Sequence, residues 1–292
     1  RNGRLEREPE VQGWEMDAEA VAAEIRTMLE RGRLEPVEAV GRTREPSLKL
    51  ADLEGVRELL AAYSTSFDLG ARTRSHNIRL AARALDGAVV LPGREFSLDA
   101  RIGPRLAQNG YREAPVILND RVVPGPGGGV CQVATTLYNA VLYAGLEVTE
   151  RHPHSLPVDY VPVGRDATLA SPAIDLRFVN NTGHAIMIAA GVEGNRLTVS
   201  IFGTQPFPSR TVRLEVEREV VAPEVTLVTD PSLPPGAREV RVRGREGYRV
   251  RVYRLWEEEG QLIRRELVSD DLYKPVATVV AVGPTRVEVP EK

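Results

Sequence analysis

The chain of 292 residues is poor in several residue types that carry chemistry or mark a cellular compartment. It has one cysteine, Cys131, so no disulfide can form within the chain, and it has four histidines. Lysine occurs only at Lys49, Lys274 and Lys292, so arginine supplies nearly all of the positive charge. The formal net charge of −3 argues against nucleic acid as the main partner.

Long apolar runs are also missing. The sequence contains no stretch of 18 apolar residues and no leader at its start. Because the chain begins at Arg1 and not at methionine, we expect a mature or trimmed chain, and the missing leader then says nothing about export. Under this interpretation, any attachment to the membrane would come from an N-terminal anchor that has been removed from this chain.

The stretch around Cys131 carries the strongest chemical signal. Three glycines at 127–129 precede it, and apolar residues then recur at helical spacing, which predicts a helix over residues 130–144 that ends at Gly145. Cys131 falls in the first turn, where free N–H groups and the helix dipole favour a thiolate. The alternative is a buried cysteine that only packs.

Two of the four histidines, His152 and His154, follow this helix. If the proline-rich segment around them runs extended, both side chains point to the same side, and either can act as a base for the thiol. Cys131 and the two histidines would also make three zinc ligands, but no second cysteine and no H-x-x-x-H spacing supports such a site. We therefore expect neither a metal nor another cofactor.

The pair Arg165 and Asp166 is the next candidate for chemistry. We expect Asp166 to orient a histidine and Arg165 to bind a substrate carboxylate, and the alternative is a structural ion pair that closes a loop. The remaining candidate substrate-binding residues lie at or near the start of the cysteine helix: Gly129, Gln132, Thr135 and Tyr138. Thr135 and Tyr138 share a helix face with Cys131, so we expect that face to be polar.

The patterns along the rest of the chain predict an α+β fold. Near the N-terminus, Asp17 caps a helix that ends at Gly32, a strand covers 37–40, and a second short helix covers 51–62. Further along, Ser75 begins a helix, and strands cover 95–98, 115–118, 121–123, 173–180, 184–191 and 196–202. Asn119 and Asp120 would form a hairpin turn. Beyond a linker at Pro206 and Pro208, alternating Val, Arg and Glu predict narrow strands exposed on both faces.

Residues 63 to about 203 closely resemble the VanW domain, a bacterial cell-envelope domain. The matching segments, in the family's order, are 64–67 (STSF), 76–82 (HNIRLAA), 91–97 (LPGREFS), 109–115 (NGYREAP), 127–133 (GGGVCQV), 151–155 (RHPHS) and 164–168 (GRDAT). The resemblance implies that the protein modifies peptidoglycan, and it links the domain to L,D-transpeptidation by a cysteine nucleophile.

The flanking regions resemble modules that accompany VanW domains. Residues 1–52 resemble a small peptidoglycan-binding domain, with a structural spacer as the alternative. Five glycines and the segment 271–275 (DLYKP) make residues 206–292 similar to the extended five-glycine β domain, which is connected with adhesion or glycan binding. We therefore expect three domains at 1–52, 53–205 and 206–292, with the chemistry in the middle.

The leading hypothesis is an exported cell-envelope enzyme that forms 3–3 crosslinks through a thioester on Cys131, with His154 or His152 as acid and base. Its partners would be peptidoglycan stem peptides and glycan strands. The alternatives are an L,D-carboxypeptidase, a cysteine peptidase that cuts stem peptides elsewhere, and a wall-binding protein without activity.

Overall fold

A computed structural model describes residues 8–33, 35–118, 121–204 and 210–284 of the chain. The chain divides into two compact units, residues 1–57 and 58–292, which we describe separately. The limits of the three predicted domains stay predictions. Within the described ranges, no helix is both long enough and apolar enough to cross a membrane.

The N-terminal unit is a two-stranded antiparallel sheet with one helix between its strands. Strands β1 (Gly13–Met16) and β2 (Gly41–Arg44) pair, and α1 (Ala18–Glu30) connects them. The N-cap Asp17 accepts a hydrogen bond from the Ala20 N–H at 2.9 Å, and Gly32 follows the helix with φ 66°, as its role as terminator requires. These features confirm the predicted helix.

The larger unit begins with an α+β core. Its helices are α2 (Arg72–Leu85), α3 (Leu98–Ile102) and α4 (Val130–Tyr143). Its strands are β3 (Glu58–Ser66), β4 (Ala88–Val90), β5 (Glu95–Ser97), β6 (Glu113–Leu118), β7 (Arg121–Pro126), β8 (Glu147–Glu150), β9 (Arg177–Val179), β10 (Ile186–Glu193) and β11 (Arg196–Gly203). Short 3₁₀ helices cover Leu50–Leu53, in the N-terminal unit, and Ala107–Asn109.

One four-stranded antiparallel sheet carries the two long helices of this core. Its strand order is β3-β11-β10-β4; α4 packs on β3 and β11, and α2 packs on β10. Twelve of the fourteen residues of α4 are buried, so polar side chains on this helix need partners inside the protein. A smaller sheet, β5-β9-β8, and the hairpin β6-β7 complete the core.

The C-terminal part is all β. Its strands are β12 (Arg210–Val221), β13 (Val225–Thr229), β14 (Arg238–Val242), β15 (Gly247–Glu258), β16 (Gln261–Tyr273) and β17 (Thr278–Val282). They form the antiparallel sheet β12-β15-β16 and the mixed sheet β13-β17-β14. Most side chains of β12, β13, β14 and β16 are exposed, as the alternating sequence predicts, whereas those of β15 and β17 are mostly buried or half-buried.

One region of the first C-terminal sheet is buried against the α+β core, which the sequence did not predict. Val250, Val252 and Tyr273 are fully buried there, with Val163 packed against them. Gly164 has φ 88°, and a Cβ at this position would lie 2.5 Å from Val250 Cγ1. Only glycine allows the backbone to come this close to the sheet.

Two predicted elements near the N-terminus are wrong. Residues 37–40 form no strand, since β2 begins at Gly41, and residues 51–62 form a 3₁₀ turn followed by β3 instead of one helix. Pairing with β11 decides the second case, where Ala61 lies opposite Ile201. Tertiary pairing of this kind overrides local helix propensity.

The other predicted elements are found with shifted limits. Helix α2 begins at Arg72, so Ser75 lies inside it and not at its start. The hairpin β6-β7 is present, but Asn119, Asp120 and the linker prolines Pro206 and Pro208 lie outside the described residues. Of the predicted strand 173–180, only Arg177–Val179 is regular.

Replacing Gly164 by alanine should destabilise the larger unit. The left-handed backbone costs about 1–2 kcal/mol with a side chain present, and the clash with two stiff buried valines adds roughly 1–3 kcal/mol. Denaturant unfolding of the two proteins measures the difference.

Gly183→Ala is the matched control, because Gly183 has φ 81° but no described atom within 4 Å of an added Cβ. Its free energy of unfolding should fall only by the backbone contribution of about 1–2 kcal/mol. Equal losses in the two variants would show that Gly164 does not pack closely on the sheet.

Candidate active site

The start of α4 positions Cys131. The N-cap Gly129 has φ 104°, and a Cβ there would lie 2.9 Å from the side chain of Arg74 and 3.0 Å from its carbonyl oxygen. Glycine therefore lets the chain enter the helix close against α2. Cys131 is partly buried, and its Sγ accepts a hydrogen bond from the Leu169 N–H at 3.5 Å.

His154 lies beside this thiol, and Asp166 holds it from the other side. Asp166 Oδ2 accepts the main-chain N–H of His154 at 2.6 Å and lies 2.7 Å from its Nδ1. Because Nδ1 donates to the carboxylate, Nε2 is the ring nitrogen left for its hydrogen bond with Cys131. His154 is 7% exposed and Asp166 1%. The three side chains form a thiol–imidazole–carboxylate arrangement.

The electrostatics of the site favour charge separation. Burial raises the pKa of the Cys131 thiol, but the hydrogen bond and charge of His154 outweigh it, and the pKa lies below the ordinary value. Burial likewise lowers the pKa of His154, but its hydrogen bonds with Asp166 and Cys131 raise it to about 9. Both shifts favour the thiolate–imidazolium pair over the neutral pair.

The Asp166 carboxylate is held by further donors. Its Oδ1 accepts the Tyr273 hydroxyl and lies 3.5 Å from the Arg151 guanidinium, which also donates from Nε to the Asp166 carbonyl oxygen at 2.7 Å. Arg151 in turn pairs with Asp271. Burial raises the pKa of Asp166, but the hydrogen bonds of His154 and the charge of Arg151 bring it below its usual value.

The structure brings His154, and not His152, to the thiol. The His152 side chain is 52% exposed, and its Nε2 lies 3.8 Å from Glu150 Oε1. His76, in α2, bonds through Nε2 to the Gly110 carbonyl oxygen at 2.9 Å. Among the residues that the structure describes, no three His, Cys, Asp or Glu side chains are grouped to hold a metal ion.

Arg165 is buried away from solvent between two tyrosines. Its guanidinium lies 5.0 Å from the ring centroid of Tyr63 and 5.2 Å from that of Tyr143, and its Nε donates to Asn139 Oδ1 at 2.7 Å. These contacts occupy Arg165 inside the protein and favour a structural role over binding of a substrate carboxylate. The predicted ion pair with Asp166 is not the form this role takes, because Asp166 pairs with Arg151 instead.

The predicted substrate-binding residues on α4 make contacts inside the protein that hold the helix in place. Gln132 donates from Nε2 to Thr65 Oγ1 and to the Ser66 carbonyl oxygen, each at 2.9 Å. Thr135 Oγ1 accepts the Ala167 N–H at 3.0 Å, and the Tyr138 ring lies under the Arg151 guanidinium. The face that carries Cys131 is polar as predicted, but it is buried against loops.

Several groups near the thiol could not be predicted from the sequence. The charge of Arg105 helps to lower the pKa of Cys131, and Arg74 lies 5.7 Å above the ring of Tyr160. Burial raises the pKa of Tyr160, and the thiolate charge raises it further. No local pattern identifies these residues, because the fold brings them together from separate segments.

Comparison with known families finds two matching segments. Residues 73–202 match the family described as VanW like protein, and residues 212–285 match the G5 domain. The chain carries a VanW-like domain followed by a G5 domain. Cys131, His154 and Asp166 lie in the VanW-like domain, whereas Asp271 and Tyr273 lie in the G5 domain.

Relatives match over part of their length. The chain is 40% identical over 151 residues to YoaR of Bacillus subtilis, covering 52% of this chain and 50% of YoaR. It is 25% identical over 146 residues to the vancomycin B-type resistance protein VanW of Enterococcus faecalis, covering 48% and 53%. The chain thus spans about half the length of the curated relatives it matches. A solved IgA1 protease G5 domain has 22% identity and a TM-score of 0.24, covering 26% of this chain and 92% of that one.

Alkylation by iodoacetamide tests the state of the thiol. An ordinary cysteine with a pKa near 8.5 is only about 1% thiolate at pH 6.5, so wild-type Cys131 should react about tenfold faster or more. In His154→Ala the thiol loses its hydrogen bond and the positive charge, so its pKa rises and the rate at pH 6.5 falls about tenfold. Alkylation rates measured from pH 5 to pH 10 give the thiol pKa of the wild type and of His154→Ala.

His152→Ala is the control, since it removes an imidazole of the same segment that does not bond to the thiol. Its rates should stay within about twofold of wild type, because the environment of the thiol is unchanged. Equal rates at pH 6.5 in wild type and His154→Ala would contradict the thiolate–imidazolium pair.

Proposed function

We propose that this protein acts in the cell wall as a cysteine L,D-transpeptidase that forms 3–3 crosslinks between peptidoglycan stem peptides. The observation that supports this most is the arrangement of Cys131, His154 and Asp166, with a thiol pKa below the ordinary value. A nucleophile, a base and a group that orients the base are the parts that covalent acyl transfer needs.

The neighbouring G5 domain and the relatives support a location in the cell envelope. A VanW-like domain joined to a G5 domain favours an exported, extracellular protein of the cell envelope, and a relative named for vancomycin resistance fits a role in the wall. The exposed G5 sheets suit contact with glycan strands. The peptidoglycan-binding assignment of residues 1–52 belongs to the same proposal.

In the first step, the Cys131 thiolate attacks the carbonyl carbon of the third residue of a donor stem. A C–S bond forms, and the carbonyl oxygen becomes an oxyanion. The N–H groups of Val130 and Gln132 donate to the carbonyl oxygens of Gly127 and Gly129, each at 3.0 Å. Among the described contacts, the Cys131 N–H has no such partner, so we assign the oxyanion to it, at the positive end of the helix dipole.

Collapse of this intermediate breaks the bond to the terminal D-alanine. The His154 imidazolium gives its Nε2 proton to the leaving amine, and a thioester remains on Cys131. An acceptor amine then attacks the thioester and passes its proton to the now neutral His154, while the thiolate leaves. The enzyme returns to the thiolate–imidazolium pair. Asp166 stays ionised throughout and holds the imidazole in place.

Water in place of the acceptor amine would turn the same site into an L,D-carboxypeptidase. The thioester, the histidine and the leaving D-alanine are unchanged, and only the second step differs. A cysteine peptidase that cuts stem peptides at another bond would use the same residues. The products distinguish these reactions.

Incubation with purified disaccharide-tetrapeptide tests the proposal. We expect wild-type protein to form a dimer that lacks one D-alanine, detected by mass spectrometry, and Cys131→Ala to form none because the nucleophile is gone. His152→Ala should keep the activity. A tripeptide alone would favour the carboxypeptidase, and a cut elsewhere in the stem would favour the peptidase.

The absence of any product with wild-type protein that still binds sacculi would contradict enzymatic activity. The protein would then be a wall-binding module, and Cys131 a packed cysteine.

A further inference from the structure

One residue of the G5 domain bonds to the carboxylate of the candidate site, and a second is connected to Asp166 through Arg151. Tyr273, the last residue of β16, donates its hydroxyl to Asp166 Oδ1 and accepts the Gly164 N–H at 3.0 Å. Asp271 pairs with Arg151, whose Nε donates to the Asp166 carbonyl oxygen. Tyr273 is 1% exposed, so water does not replace its hydroxyl. The G5 domain thus bonds to Asp166 directly and through Arg151.

The G5 domain also contacts the helix that carries Cys131. Arg254 of β15 is buried, and its guanidinium donates to the Leu146 carbonyl oxygen at 2.8 Å, just beyond the end of α4. It pairs with Glu266 of β16. A cation at this end of a helix is favoured by the dipole. The same two strands therefore support both the helix of the nucleophile and the loop of the carboxylate.

The loop before Asp166 is packed on the same sheet. Gly164 lies against Val250 and Val252, and Val163 joins their apolar cluster. A buried carboxylate is tolerated only when its oxygens are hydrogen-bonded. Without the Tyr273 hydroxyl, the nearest other donor to Oδ1 is Arg151 at 3.5 Å, which is long for a hydrogen bond.

We propose that Tyr273 is a positioning residue for Asp166, so that the active site of the VanW-like domain is complete only with the G5 domain docked on it. The inference rests on the proposed role of Cys131 as nucleophile. Loss of the hydroxyl leaves Asp166 free to turn away from His154, and the imidazolium then loses its partner. The thiolate becomes less favoured as a result.

The test is the pH profile of Cys131 alkylation by iodoacetamide in the full chain carrying Tyr273→Phe. We expect the midpoint to move up by about 0.5–1 pH unit, and the rate at pH 6.5 to fall about three- to tenfold. At pH 10, where the thiol is ionised in every variant, rates should agree within about twofold. Damage to the fold would change the rate at pH 10 as well.

Tyr253→Phe is the matched control, because it removes a tyrosine hydroxyl from β15 of the same sheet, where the Arg265 guanidinium lies over the ring. It should keep the wild-type profile. Asp271→Asn removes the charge that pairs with Arg151. It should move the midpoint of the alkylation profile upward as well, by a smaller amount. This second variant carries the test if Tyr273→Phe does not fold.

The outcomes separate the two proposals. A wild-type profile with an ordinary thiol midpoint would overturn the proposed function and the positioning role together. If His154→Ala shifts the profile but Tyr273→Phe and Asp271→Asn both match wild type, only the positioning role is overturned.

Discussion

The buried carboxylate of Asp166 is the constraint on which the rest of the site depends. Removing a carboxylate from water costs several kcal/mol unless donors replace the lost hydration. Here the donors come from three separate places: the main chain and ring of His154, the guanidinium of Arg151 and the hydroxyl of Tyr273. Their geometry fixes the imidazole, and the imidazole makes the thiolate favourable.

Helix α4 serves the core and the site at once. Its apolar residues pack on the sheet, while its buried polar residues connect it to the loops that carry the other groups. Asn139 shows this most clearly, since it donates to the carbonyl oxygens of Thr135 and Arg165 and accepts from the Arg165 guanidinium. A fully hydrogen-bonded network of this kind leaves little freedom for the helix to move relative to Asp166.

Local signals in the sequence were sufficient for the start and end of α4. The glycines before Cys131 and Gly145 after the helix act within one or two turns, so their effect can be predicted without the fold. The same holds for Asp17 and Gly32 at α1. The helix predicted over 51–62 was wrong because β11 lies more than a hundred residues away and decides that segment by pairing.

The choice of histidine could not be made from the sequence. His152 and His154 are equivalent if their segment runs extended, and only the return of the chain to Asp166 selects one of them. The contribution of Tyr273 was missed for a similar reason. It ends a strand with an ordinary alternating pattern, and its role depends on where the sheet docks.

The proposed transpeptidation requires a covalent bond between Cys131 and the donor stem, and the intact mass of the protein detects this bond. A tetrapeptide donor whose free side-chain amine is acetylated cannot act as an acceptor, so aminolysis cannot remove the acyl group. After acid quench, we expect a mass increase equal to the mass of the donor minus that of one D-alanine molecule, located on Cys131 and missing in Cys131→Ala. An unmodified Cys131 in protein that releases D-alanine would contradict it.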